Sequence, residues 1–211
     1  MPKLTEKMGR FACCSLSKLK HLDGIPALAL RLYLVPIFWM AGSQKMAHFE
    51  DTVDWFGNPD WGLGLPLPWL MAFLATATEL AGAALLTLGL ATRLISIPLI
   101  FTMLVAIGSV HWENGWQTIA DPSAPFANEQ VMESADKREA ARNLLREHGN
   151  YSWLTSSGNF VILNNGIEFA ATYLIMLMAL MVLGGGRYVS VDAYIKSWCM
   201  GRCHKNGCCH K

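Results

Sequence analysis

Four long apolar stretches separated by polar segments organise this chain. The first covers 25–46, with Arg31 inside it and Lys45 at its end. The next two share 66–110, interrupted by Glu79 and by a Gly89, Leu90, Ala91, Thr92, Arg93 break. The fourth covers 160–184, with Glu168 as its single charge and three glycines, Gly184 to Gly186, at its close. A hydrocarbon core of about 30 Å takes roughly 20 helical residues. The 66–110 stretch is far too long for one crossing and predicts a tight hairpin. The expected fold is therefore all-α, a polytopic membrane four-helix bundle with spans at 25–46, 66–89, 93–111 and 160–184. Segment 1–24 precedes this bundle of 25–184, and a tail rich in Cys and His, 185–211, follows it.

Helices apolar all round are stable only in lipid or deep in a large core, and four of them leave too little polar sequence to cover them. Composition agrees: 53% of the 211 residues are hydrophobic and 16% charged, against about 25% charged in an ordinary soluble domain. Residues 1–24 are polar and basic rather than signal-like, so the first stretch reads as a retained span. Trp39, Trp61, Trp69, Trp112, Trp116, Trp153 and Tyr151 gather mostly near the span ends, as interfacial aromatics do. The net charge of +1 argues against a nucleic-acid partner.

Charge matters by position. Segment 1–24 holds Lys3, Lys7, Arg10, Lys18 and Lys20, and 185–211 holds Arg187, Lys196, Arg202, Lys205 and Lys211. The 47–65 loop has acidic residues and no Lys or Arg, and in 112–159 acidic residues outnumber basic ones. The positive-inside rule then places both termini and Arg93 in the cytoplasm of a bacterial inner membrane, with the two larger loops outside. Within the long loop, 128–148 carries Val131, Met132, Ala135, Leu144 and Leu145 at helical spacing and stops at Gly149. This predicts an amphipathic helix on the membrane surface or over the bundle, or else a solvated helix with charge pairs.

A charge near the bilayer centre costs at least about 2.5–3.5 kcal/mol on insertion scales, so an intramembrane ionisable group needs a partner and often has a function. Glu79 falls near the middle of the second span. Arg31, on the cytoplasmic third of the first, either snorkels to the interface or reaches Glu79 as a counter-ion. Lys45, His111 and Glu168 fall at the outer ends of three spans, where convergence would suit proton relay, a quinone headgroup, or a metal held by His111 and Glu168. Charge pairing that only fixes helix register is the competing explanation.

The order of these residues resembles the DoxX family of small four-span membrane proteins. The resemblance runs through Arg31, Leu32 and Tyr33, then Gly42 and Lys45; through Glu79, Leu80, Ala81 and Gly82, then Gly89 and Arg93; and through His111. It continues with Asn165, Gly166, Ile167 and Glu168, and with Gly184, Gly186, Ser190 and Asp192. The long loop with its 111–116 run (His, Trp, Glu, Asn, Gly, Trp) and the 163–169 run (Leu, Asn, Asn, Gly, Ile, Glu, Phe) is similar to the HvfX branch. That branch is associated with maturation of copper-binding modified peptides. The resemblance implies a fold and a location more firmly than a reaction, because members are linked to quinone-coupled sulfur oxidation, redox-stress complexes and peptide maturation.

All six cysteines lie outside the spans. A reducing cytoplasm disfavours structural disulfides, which turns attention to metals. Cys199, Cys203, His204, Cys208, Cys209 and His210 suit copper(I) or zinc, although the paired two-residue spacing of a zinc ribbon is missing. A dispensable exposed tail is the plain alternative. No nucleophile motif, phosphate loop or dinucleotide fingerprint stands out, so an independent enzyme is not expected. The sequence leaves three functions in competition: an accessory or redox subunit with a protein or peptide partner, an oligomeric transporter or channel for a small solute or metal, and a non-catalytic membrane anchor.

Overall fold

A computed structural model describes residues 24–205, with side chains to Cys199. The chain is an all-α polytopic membrane protein. Its helices are α1 (Gly24–Ala47), α2 (Phe49–Gly57), α3 (Pro68–Leu88), α4 (Thr92–Ala106), α5 (Glu129–His148), α6 (Tyr151–Leu154), α7 (Glu168–Leu183) and α8 (Val191–Lys205). After α4 the helix widens into a π-turn at Ile107–His111 and tightens into a 3-10 turn at Trp112–Asn114. Among the described residues three helical runs are long and apolar enough to cross a bilayer: Gly24–Ala47, Pro68–Leu88 and Thr92–Asn114.

Among the described residues the chain forms two compact units, one of 24–100 with 176–205 and one of 101–175. In the first, α1 and α3 pack against each other. The buried residues of α1 are Gly24, Ala27, Arg31, Leu34, Phe38 and Gly42, three or four apart, which is a single stripe down one face. Helix α3 answers with Ala72, Thr76, Glu79, Gly82, Ala83 and Leu86. The remaining faces stay apolar and open: Leu32 of α1 is 63% exposed and Phe73 of α3 49%, an arrangement that lipid rather than water accommodates.

Two glycines set how close the helices come. A Cβ at Gly42 would lie 2.9 Å from Leu80 Cγ and 3.1 Å from Glu79 Cβ, so the missing side chain seats α1 against the turn of α3 that carries Glu79. A Cβ at Gly82 would meet Leu99 of α4 at 2.8 Å. The α3–α4 hairpin itself turns on Gly89, whose φ of +61° belongs to the left-handed region that glycine enters without strain.

In the second unit, two extended segments run side by side without forming a sheet. Ala120 N–H donates to Ile162 O, Asn164 N–H to Thr118 O, Gly166 N–H to Gln117 O, Ile167 N–H to Gly115 O and Glu168 N–H to Trp116 O. This is where the fourth apolar stretch departs from expectation. Residues 160–167 are not helical, because their backbone groups are taken by 115–120, and α7 begins only at Glu168 with 16 residues. At a rise of 1.5 Å per residue it spans about 24 Å, short of the hydrocarbon thickness. Helix α5 starts where the spacing placed it, capped by Asn128, whose side chain accepts from Val131 N–H at 2.9 Å. Its buried residues are Val131 and Ser134, while Met132 and Leu144 are exposed.

Replacing Gly42 with valine should force α1 and α3 apart. The expected loss, about 1–3 kcal/mol by analogy with overpacked cores, is to be read as a lower unfolding temperature of the detergent-solubilised protein. Unchanged stability would show that the close approach at Gly42 is not what holds the pair of helices.

Candidate functional site

Arg31 is 1% exposed, seven residues into a membrane-length helix, and no carboxylate is its hydrogen-bond partner. Its guanidinium is surrounded by backbone carbonyls. Nε donates to Leu86 O at 2.7 Å and Nη2 to Thr87 O at 2.9 Å, both in the last turn of α3. Nη1 donates to Gly185 O at 2.8 Å, and Nη2 also to Val189 O at 2.9 Å. The last carbonyls of a helix have no intrahelical donor and form the negative end of its dipole, so a planar cation with forked donors suits them. The expectation that Arg31 snorkels or pairs with Glu79 is thereby corrected.

The other side of the same turn is held by the opposite charge. Asp192, in the first turn of α8, accepts from Ala91 N–H at 2.7 Å and Thr92 N–H at 3.0 Å, capping the start of α4. Ser190 Oγ donates to Gly89 O at 3.0 Å. One cation and one anion thus clamp the hairpin turn. Sequence reasoning noted Ser190 and Asp192 only as part of a resemblance; the available signal was an acidic residue at the start of a helix after a glycine run.

Glu79 pairs instead with Lys45. The ammonium Nζ lies 2.8 Å from both carboxylate oxygens, a symmetrical contact between the end of α1 and the middle of α3. The Glu79 side chain is 6% exposed and that of Lys45 27%, so the pair is buried at its acid and partly accessible at its base. A lysine stem buries its methylenes along the apolar wall while delivering its charge to the carboxylate.

His111 and Glu168 do different work, both in the second unit. His111 Nδ1 sits 2.8 Å from Asn165 O. A carbonyl oxygen can only accept, so Nδ1 carries the proton of this contact. Glu168 Oε2 accepts Thr118 N–H at 3.0 Å. Around them Asn164 Nδ2 donates to Asn114 O at 2.7 Å and Gln117 O at 2.8 Å, and Asn128 Nδ2 donates to Asn114 O at 3.1 Å. The 111–116 and 163–169 runs are thus two halves of one hydrogen-bonded knot. The Gln117 Nε2 and Thr118 Oγ1 atoms are buried within it without a hydrogen-bond partner. Lys45 belongs to the other unit, where Glu79 holds it.

Among the described residues no group of three or more His, Cys, Asp and Glu is placed to hold a metal ion. Of the proposed tail ligands only Cys199 is described, exposed and with a free thiol. The side chains of Cys203, His204, Cys208, Cys209 and His210 lie outside the described residues.

Comparison with known proteins bears on part of this. The DoxX family model matches residues 27–112, fewer than half of the chain, a segment that includes Arg31, Lys45, Glu79 and His111 but not Glu168 or Asp192. Inner membrane protein YphA of Escherichia coli is 35% identical over 88 residues, covering 41% of this chain and 60% of that protein. The "Putative oxidoreductase CatD" of Bacillus subtilis is 35% identical over 86 residues, with the same coverage of each chain. The chain thus spans about three fifths of the length of these relatives. No solved structure matches it.

Removing the Arg31 guanidinium should unfold the hairpin end of the first unit. Arg31→Leu takes a donor from four carbonyls, of which Leu86 O keeps Gly89 N–H at 3.2 Å, at about 1–3 kcal/mol for each left unsatisfied that water cannot reach, and should fail to give folded protein. Arg31→Lys keeps the charge but loses the fork, so it should fold with a clearly lowered unfolding temperature. Equal stability of the lysine variant would show that charge alone, without planar geometry, suffices.

Proposed function

We propose that this chain is a DoxX-type subunit of a bacterial inner-membrane redox system, working with a protein or peptide partner rather than as an independent enzyme. The observation that carries the reading is the Lys45–Glu79 pair. Both charges must be desolvated, and replacing a buried ion pair by well-packed apolar residues is often neutral or even stabilising. A bundle in need of stability alone has no physical reason to keep it. The pair joins a buried acid to a partly accessible base, as proton exchange with a quinone headgroup or a docked partner requires. In this reading the partner supplies the electrons and the pair relays protons to the quinone.

The name of the Bacillus subtilis relative, an oxidoreductase, lends support. Sidedness follows from the distribution of basic residues: the hairpin turn and both termini face the cytoplasm, and the 47–65 and 112–159 loops face outward. Within this frame we assign the chain to the HvfX branch and to maturation of copper-binding peptides. Supporting that assignment, the two sequence runs that resemble the branch join in one structural knot. Transport by an oligomer and simple anchoring remain the rival functions.

Two measurements test the reading. The paired variant Lys45→Met with Glu79→Leu should fold and insert normally, yet lose most of the quinone reductase activity of membranes that contain the partner. If that variant retains wild-type activity and partner binding, the pair is only structural and the redox reading falls. For the tail, changing Cys199, Cys203, Cys208 and Cys209 to serine should remove copper from anaerobically purified protein and lower copper tolerance. Unchanged copper content together with unchanged tolerance would end the metal assignment.

A further inference from the structure

The two extended segments of the second unit are folded with their polarity reversed. Successive side chains of an extended chain point to opposite faces. The face turned into the protein carries Thr118, Ala120 and Asn164, all buried, and Asn164 gives its amide N–H groups to Asn114 O and Gln117 O. The face turned away carries Ile119, Val161 and Leu163. Ile119 and Leu163 lie opposite each other across an isolated antiparallel bridge and are 50% and 68% exposed, so their side chains stand together on that face. An antiparallel pair with one face in water alternates the other way, apolar in and polar out. Neither 115–120 nor 160–167 holds a charged residue.

The length of α7 indicates what lies against this face. Its 16 residues fall about 6 Å short of the hydrocarbon thickness. Beyond Leu183 the chain runs through three glycines to Arg187, whereas before Glu168 it holds Phe160, Val161, Ile162 and Leu163. Apolar length can therefore be added only at the Glu168 end, and the exposed Phe169 in the first turn of α7 continues the same apolar wall. The hydrogen bonding fits a shallow position. Bonds between the segments run through the backbone of Thr118, Ala120, Ile162 and Asn164, which turns the N–H and C=O groups of Ile119 and Leu163 to the outer edges. Such edges are too costly in the middle of the hydrocarbon, but water and headgroups meet them at its boundary. Trp112, Trp116 and Trp153 stand exposed in the same unit, and tryptophan is enriched at that boundary.

We propose that Ile119, Val161 and Leu163 form a lipid-contact surface, set into the acyl chains of the leaflet at the Glu168 end of α7, while the backbone behind them stays in the headgroup layer. The occupant is the bilayer itself. A non-helical loop with amide groups on its inner face thus supplies the apolar length that α7 lacks. The contact involves neither Lys45 nor Glu79 and is independent of any redox role.

The test uses the full chain with its six cysteines changed to serine, single cysteines introduced for nitroxide labelling, and reconstitution in phosphatidylcholine nanodiscs. Ile119→Cys and Leu163→Cys report on the face, and Glu139→Cys, exposed on α5, is the water reference. Oxygen concentrates among acyl chains, and a polar nickel chelate stays in water. At positions 119 and 163 relaxation by oxygen should exceed relaxation by the chelate, and at 139 the order should reverse. The order of position 139 recurring at 119 and 163 overturns the proposal, since the face is then in water. Labels shielded from both reagents overturn it in favour of a protein surface, whether a second copy or another partner. A second measurement keeps the native cysteines and compares Leu163→Trp with the parent chain in nanodiscs with and without brominated acyl chains. The added fluorescence should be lost in the brominated lipid. Added fluorescence that survives the bromines and is quenched by aqueous iodide overturns the contact.

Discussion

The short turn between α3 and α4 imposes the constraint on which the first unit depends. A helix ending at Leu88 and another starting at Thr92 leave carbonyls and N–H groups facing one another across a few residues, and burial of Leu86, Gly89 and Thr92 keeps water from satisfying them. Arg31 takes the carbonyl side and Asp192 the amide side. The two residues come from helices at opposite ends of the chain, so satisfying one turn draws α1 and α8 onto it. This is a stronger organiser than apolar packing, because between transmembrane helices there is little hydrophobic drive to association.

The second unit meets the same requirement with neutral groups. Its extended segments lie side by side, and amide side chains from Asn114, Asn128 and Asn164 meet backbone groups left over by the irregular geometry. Asn165 occupies the left-handed region at φ of +59°, which asparagine tolerates better than most residues. Gly166 has no room for a side chain, since a Cβ there would lie 2.7 Å from Gly115 O and from the carbonyl carbon of Trp116. The motif that looked like the opening of a span is the seam of a folded loop.

The hydrophobic pattern made three long apolar helices and the short turn between two of them legible, because helices apolar all round leave a plain trace in sequence. The 160–167 segment misled because Phe160, Val161, Ile162 and Leu163 are as apolar as a span, and hydropathy cannot separate a lipid-facing helix from an extended segment paired at its edge. The Asn164, Asn165, Gly166 run was the local sign of a break. Charge reasoning selected Arg31, Lys45 and Glu79 but matched them wrongly. It looks for charges to oppose charges, whereas the partners of Arg31 are carbonyls, which every residue has and no sequence pattern marks. The six Cys and His spread over 199–210 are plain in sequence, but apart from Cys199 their side chains lie outside the described residues.

The two intramembrane cations differ in a way that bears on where chemistry can reside. An arginine holds its proton under any condition a protein meets and, with its donors directed to fixed carbonyls, can act only as a strut. A lysine facing a carboxylate is another matter. Ammonium and carboxylate are both groups that can exchange protons, and here they touch at 2.8 Å. Nothing comparable is open to Arg31 and its carbonyls, which have no proton to accept or release. The rigid charge stands at the turn, where geometry must be fixed, and the exchangeable one lies farther along the same two helices, against a glycine that lets them meet. The helix pair is thus divided along its length into an end fixed by Arg31 and its carbonyls and an end where Lys45 meets Glu79.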